Sequence, residues 1–257
     1  MAILFDGFFD FLEQYSHTTI KQSQFLKKGL ICSILINLIL VGALGYLVQR
    51  LGGLKFMIHR ITAGGLAGVY ENRKNLFEHL PLPKGSIIFL GDSITEYGQW
   101  EELMNHPKVK NRGIAGDTTW GLMRRLKGIT SSQPKAIFLM IGINDFLFTD
   151  EKEIVENYTK IIQQIKAETP NSQLFIQSVL PVNSAVKNTV FDNKAIVSLN
   201  KSIQEIATKE GLPYLDIHQQ LLDDSGVLKA TYTADGVHIN GEAYMIWKEI
   251  VNPYLSE

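Results

Sequence analysis

The chain predicts an α/β architecture: one doubly wound domain with a five-stranded parallel sheet flanked by helices, preceded by one transmembrane helix. Two observations carry this. Apolar runs of strand length alternate with helical patterns along the C-terminal three quarters of the sequence, and a charge-free stretch of about twenty residues stands near the N-terminus.

The strand candidates are Ser86–Leu90, a short one near Val109–Asn111, Ala136–Ile141, Leu174–Val179 and Tyr214–Ile217. Ile87–Leu90 and Ala136–Ile141 are apolar throughout rather than alternating, as expected for a parallel sheet covered on both faces. The helical candidates are Glu71–Leu80, Thr119–Lys127, Glu151–Glu168, Lys194–Glu210 and Gly241–Leu255. Within Glu151–Glu168, Ile154, Tyr158, Ile161, Ile162 and Ile165 share one face at helical spacing. Pro81 and Pro83 end the first of these helices. No internal repeat or low-complexity segment interrupts the pattern.

The segment Gly29–Val48, GLICSILINLILVGALGYLV, holds no charged residue, and Asn37 is its most polar side chain. Roughly 20 helical residues cross a ~30 Å hydrocarbon core. A buried core helix would show a polar face over such a length. Ala43-Leu44-Gly45 faintly resembles a signal-peptidase site, but 28 residues precede the apolar run, and the first twenty carry Asp6, Asp10 and Glu13 with no Lys or Arg. A retained single-pass anchor is therefore expected. Lys21, Lys27 and Lys28 on one side balance Arg50, Lys55 and Arg60 on the other, so the positive-inside count is tied. The expected domain lies on the extracytoplasmic side. The expected layout is an N-terminal tail (1–28), a membrane helix (29–48), a Gly-rich connector (49–69) and a globular domain (70–257). The tail mixes Phe5, Phe8, Phe9, Phe11 and Leu12 with acids, which suits an interfacial helix or an unstructured segment.

Charge narrows the function. With 25 basic and 26 acidic residues there is no electrostatic footprint for nucleic acid. A single cysteine, Cys32, excludes an internal disulfide and any cysteine-based metal cluster. No H-E-x-x-H, clustered histidines or P-loop occurs, so neither metal nor cofactor is expected.

In an open α/β sheet, ligands bind beyond the carboxyl ends of the strands, so the residues that end each strand are the informative ones. They are Gly91-Asp92-Ser93-Ile94, then Asn111-Arg112-Gly113-Ile114-Ala115-Gly116-Asp117-Thr118, then Gly142-Ile143-Asn144-Asp145. Asp235-Gly236-Val237-His238 precedes the last helix. Singly, each is an ordinary turn or helix cap. Together, and in this order, they supply what acyl transfer needs. Ser93 is a hydroxyl nucleophile that requires a base, His238 is that base, and Asp235 orients it. Backbone N–H groups of Ser93 and Gly116 and the Asn144 amide are candidate oxyanion donors. His218, two residues after Asp216, is a weaker rival base.

These segments resemble the sequence blocks of the SGNH (GDSL-type) hydrolase superfamily: GDSI, NRGIAGDTT, GIND and DGVH. The resemblance covers roughly Tyr70–Glu257 and departs at Ile94, where the name motif carries leucine. It implies a flavodoxin-like domain, with Ser93 as nucleophile, Gly116 and Asn144 completing the oxyanion hole, and Asp235 and His238 completing the triad. It also implies an ester substrate, with lysophospholipase, thioesterase and acyltransferase activities as relatives of simple esterases. A binding domain without activity is the non-enzymatic alternative. Small-acyl hydrolysis, of acetyl above all, from a carbohydrate or lipid is the leading expectation. Tyr97, Trp100, Trp120, Phe146, Phe148 and Tyr232 flank the blocks and are candidates for substrate contact, as is the segment Pro181–Asn193 for a lid or an ordinary loop.

Overall fold

The computed structural model describes residues 30–49 and 64–255, and the chain divides into two compact units, Met1–Ile58 and His59–Glu257. The tail expected over 1–28 and most of the connector expected over 49–69 lie outside the described residues.

In the first unit, helix α1 (Leu30–Gln49) is long and apolar enough to cross a membrane. Its large apolar side chains, among them Leu38, Ile39 and Val41, are exposed. The Asn37 amide is satisfied within the helix, donating to the Ser33 carbonyl at 2.7 Å.

The second unit begins with α2 (Gly64–His79), whose first turns fall in the stretch expected to be connector. Glycine costs only about 1 kcal/mol per helical position, so Gly64, Gly65 and Gly68 weaken a helix without forbidding one. Five parallel strands follow: β1 (Ile87–Gly91), β2 (Val109–Gly113), β3 (Ala136–Met140), β4 (Gln173–Gln177) and β5 (Tyr214–Leu215). Their order is β2-β1-β3-β4-β5. The connections flanking β1 run to opposite sides, so the topological switch point lies between β1 and β3, where such sheets bind ligands.

Alternate residues of each strand feed two cores. Ile88, Leu90, Ile137, Leu139 and Ile176 pack with α5 (Thr119–Thr130), α6 (Glu151–Glu168) and α7 (Asn193–Glu210). Ile87, Phe89, Phe138 and Phe175 pack on the other face with α4 (Trp100–Leu103) and α8 (Gly241–Val251). A four-residue helix, α3 (Ser93–Glu96), directly follows β1.

Three elements end earlier than their composition suggests. β4 stops at Gln177 because Val179 bonds a side chain instead of a strand: its N–H and carbonyl pair with the Asn200 amide at 2.7 and 2.8 Å. The last α-helix stops at Val251, ahead of Pro253, and continues as a 3-10 turn. The edge strand β5 is reduced to two residues because the chain at Ile217 turns into a 3-10 helix, His218–Leu221. A short edge offers little template for pairing with another chain.

Candidate active site

Ser93 is the first residue of α3, delivered by β1 to the switch point. Asp92 caps this helix, its Oδ1 accepting from the Ile94 N–H at 3.0 Å. The Tyr244 hydroxyl, from α8, donates to the Ile94 carbonyl at 2.5 Å. Ser93 is thus held at both faces of its helix and is itself buried.

His238 approaches from the loop before α8, with Nε2 2.9 Å from Ser93 Oγ. Its Nδ1 lies 2.6 Å from Asp235 Oδ2. The second carboxylate oxygen, Oδ1, accepts the backbone N–H groups of Val237 at 2.9 Å and His238 at 2.8 Å. Partial burial pushes the Asp235 carboxyl up. The hydrogen bonds from the His238 ring and from these two N–H groups outweigh it and hold the group at about 2. Asp235 is therefore an anion throughout the neutral range, aimed at one imidazole nitrogen while the other faces a serine hydroxyl.

Gly116 adopts φ +75°, a conformation costly for any residue with a Cβ. No hydrogen bond among the described residues takes up its N–H. The neighbouring Ala115 N–H donates to Glu96 Oε2 at 2.5 Å, and Asp117 N–H turns back to the Ile114 carbonyl at 3.1 Å. Asn144, at the end of β3, donates one amide hydrogen to the Asp117 carbonyl at 2.9 Å. Among the described residues its second amide hydrogen has no such acceptor. All five residues expected to form the site are thus linked by hydrogen bonds or by adjacent loop segments at one rim.

Five of the six aromatic candidates divide. Tyr97, 52 % exposed, sets its ring 5.1 Å from the His238 ring. Trp100 is a correction: it is 1 % exposed, stacks on Phe89 at 4.0 Å and donates Nε1–H to the Thr95 carbonyl at 2.7 Å. A large indole at the start of α4 buries against the sheet face it meets, and it is core. Phe146 packs on the opposite core. Trp120 lies under the Arg124 guanidinium at 4.7 Å, and Tyr232 under the Lys229 ammonium at 5.1 Å. The rival base His218 is buried elsewhere, its Nδ1 3.0 Å from the Val179 carbonyl. Burial pushes it down from its ordinary value.

Sequence reasoning missed the supports. Glu96, three residues after Ser93, binds the loop beside Gly116 and also meets Arg73 Nε at 3.2 Å. The Asn111 amide donates to the carbonyls of Thr95, Glu96 and Gly98 at 2.9–3.1 Å, and its Oδ1 accepts Gly113 N–H at 2.8 Å. That side chain ties the end of β2 to the serine helix; an Asn two residues before a Gly is the local sign of such a turn. Asn183, from the expected lid segment, donates its N–H to the Gly236 carbonyl at 2.7 Å, and the Asn193 side chain closes the same segment onto Val182 at 2.8 and 2.9 Å. The start of Pro181–Asn193 is therefore a brace for the Asp235–His238 loop.

Beneath the rim three carboxyl groups are buried: Asp92, Asp117 and Asp145. Arg125 neutralises Asp117 at 2.7 Å and donates to the carbonyls of Gly91 at 3.0 Å and Arg112 at 2.8 Å. Asp145 accepts the Thr119 hydroxyl at 2.5 Å and its N–H at 3.0 Å, anchoring the Asn144 turn to α5. Burial, with the Asp117 charge adding to it, pushes both Asp92 and Asp145 up to about 7. Among the described residues no three His, Cys, Asp or Glu side chains converge as a metal site.

The model of the GDSL-like lipase/acylhydrolase family matches residues 89–246, from β1 into α8. The chain belongs to this family. Members of the GDSL-like family are carboxylic ester hydrolases, and this chain shares that class of activity. It is 27% identical over 165 residues to platelet-activating factor acetylhydrolase IB subunit alpha2 of Rattus norvegicus, covering 62% of this chain and 70% of that one. A solved structure from Streptococcus pneumonia, described as that of a platelet activating factor, superposes with TM-score 0.70 at 28% identity over 77% of this chain and 98% of that one. A GDSL-like lipase of Bacteroides thetaiotaomicron shares the fold, with TM-score 0.63 at 23% identity, covering 73% of this chain and 97% of that one.

Proposed function

We propose that Ser93 is the nucleophile of a membrane-anchored ester hydrolase that removes a small acyl group, acetyl above all, from a lipid or carbohydrate ester. The observation that carries this is the hydrogen-bonded run from Ser93 Oγ to His238 Nε2 (2.9 Å) and from His238 Nδ1 to Asp235 Oδ2 (2.6 Å).

In the first half-reaction Ser93 Oγ attacks the ester carbonyl carbon while its proton passes to His238 Nε2. The resulting imidazolium is stabilised by Asp235, which stays ionised. The tetrahedral oxyanion is held by the Ser93 and Gly116 N–H groups and the second Asn144 amide hydrogen. When the C–O bond breaks, His238 returns its proton to the departing alkoxide, leaving an acyl-Ser93 ester. Water then repeats the sequence: His238 takes its proton, hydroxide adds to the acyl carbon, and Ser93 Oγ leaves with that proton. No metal or cofactor enters.

The acetyl preference is supported by the acetylhydrolase named among the relatives. Tyr97 is the aromatic with the strongest support as a substrate contact, since it touches His238; Trp120, Phe146 and Tyr232 rank behind it. Anchoring rests on the length and exposed apolar side chains of α1.

The test is Ser93→Ala in the full chain, solubilised in detergent, with a small aryl acetate. Turnover falls by roughly 10⁴-fold or more, and fluorophosphonate labelling disappears. Undiminished turnover would refute the assignment. Protease applied to intact cells digests the domain if it lies on the extracytoplasmic side, as expected.

A further inference from the structure

A trough of about 850 Å³ runs beside the site between α4 and α8, with Tyr97, Leu103, Ile239, Tyr244 and Met245 along it. Tyr97 belongs to both places: it lines the trough and its ring lies 5.1 Å from that of His238. The two sides of Ser93 are chemically different. The oxyanion candidates come from loops that lead to the α5 face, since Asn144 bonds Asp117 and Asp145 bonds Thr119 at the start of α5. His238 comes from the loop that leads to α8, and Ile239 belongs to the core on that face. An ester bound at Ser93 thus turns its carbonyl oxygen toward α5. Its alcohol oxygen must meet His238 Nε2, which protonates it as it leaves.

We propose that this trough is the leaving-group subsite and that it takes the apolar alkyl or aryl part of the alcohol, so that the natural ester is one of a hydrophobic alcohol, of the lipid class, rather than of a bare sugar. The inference rests on Ser93 and His238 acting as proposed above. Charge favours the same occupant. Glu102 and Glu242 outnumber Lys248 along the trough, so a carboxylate product would be repelled there, whereas a neutral alcohol is not. Met245, 47 % exposed, and Tyr97, 52 % exposed, present apolar surface to whatever enters.

The experiment compares two ester series with the detergent-solubilised full chain, each ester kept below its solubility limit. One series keeps the acetyl group and lengthens the alcohol (ethyl, butyl, hexyl acetate); the other keeps ethanol and lengthens the acid (ethyl acetate, butyrate, hexanoate). kcat/KM rises at least about tenfold from ethyl to hexyl acetate, since a fully buried methylene is worth up to ~4-fold. Met245→Glu cuts that ratio to below about threefold, chiefly through KM, and leaves the acyl-series ratio where it was. Val197→Glu, exposed on α7, which packs on the other face of the sheet, keeps both ratios. A flat alcohol series, or a Met245→Glu variant that alters the acyl series instead, overturns the inference while ester hydrolysis itself stands. If no ester is turned over and Ser93 takes no fluorophosphonate, the catalytic reading falls and the subsite with it.

Discussion

Replacing Asp235 by Asn removes one charge and almost no volume, and its effect follows from which oxygen is held. Oδ1 accepts two backbone N–H groups, from Val237 at 2.9 Å and His238 at 2.8 Å. An amide in the same place keeps its carbonyl oxygen on those donors, because turning it would set NH₂ against two N–H groups. The NH₂ therefore faces His238 Nδ1 across what is now a 2.6 Å contact. It can only donate, so Nδ1 becomes the acceptor and the ring proton moves to Nε2. That nitrogen then points a hydrogen at Ser93 Oγ and no longer accepts the serine proton. The wrong tautomer typically lowers kcat by about 10⁴-fold, equivalent to ~5.5 kcal/mol of barrier. The assay is kcat with a soluble acetate ester at neutral pH, beside circular dichroism to show an unchanged fold. A loss under tenfold in the folded variant would mean that Asp235 does not choose the tautomer, and the orientation argument would fail.

Glu96→Ala leaves the Ala115 N–H without its acceptor and frees the loop that carries Gly116; kcat falls about 10- to 100-fold with KM little changed, and Glu96→Gln, which keeps an acceptor oxygen, recovers most of it. Trp100→Ala opens the core beneath α4 and costs about 3–5 kcal/mol in urea denaturation; a change in acyl or alcohol preference without a loss of stability would return Trp100 to the substrate site. Stability also depends on pH in a defined direction. Asp92 and Asp145 keep their protons to about 7 in the folded chain, against 3.8 ordinarily. Between those values the folded state binds more protons than the unfolded one, so stability falls as pH rises from about 4 to 7 and then levels off. Asp235, held at about 2, acts oppositely: its contribution is present above about 4 and is lost as pH falls toward 2. The urea midpoint is therefore higher at pH 5 than at pH 8, and Asp145→Asn, whose amide oxygen still accepts from Thr119, reduces that difference. Equal midpoints in the parent protein would contradict the buried-acid assignment.

Much of the fold is legible because its signals are local. Ile87–Leu90 and Ala136–Met140 are apolar on both faces, which only a covered parallel strand tolerates. The residues that end those strands must emerge at the carboxyl rim, so Ser93, Gly116 and Asn144 are readable as neighbours before any coordinate is known. Asp235 and His238, three apart in one turn, are legible as a pair for the same reason. The helix α2 was only half readable, because its glycines carry a loop signal that a packed helix overrides.

What composition does not contain is direction. Tyr97 and Trp100 are aromatics three residues apart after the same serine, yet one faces His238 and the other stacks on Phe89 in the core. Which does which is decided by how α3 and α4 lie across β1. The same holds for Glu96 and Ala115, nineteen residues apart, whose bond exists because β1 and β2 run in register from Ile87↔Val109 to Gly91↔Gly113. Sequence alone determined the chemistry of this chain, since that depends on residue type at strand ends. Tertiary structure alone decided which side chains support the chemistry and which side of Ser93 is apolar, since both depend on contacts between segments that carry no mutual signal in the sequence.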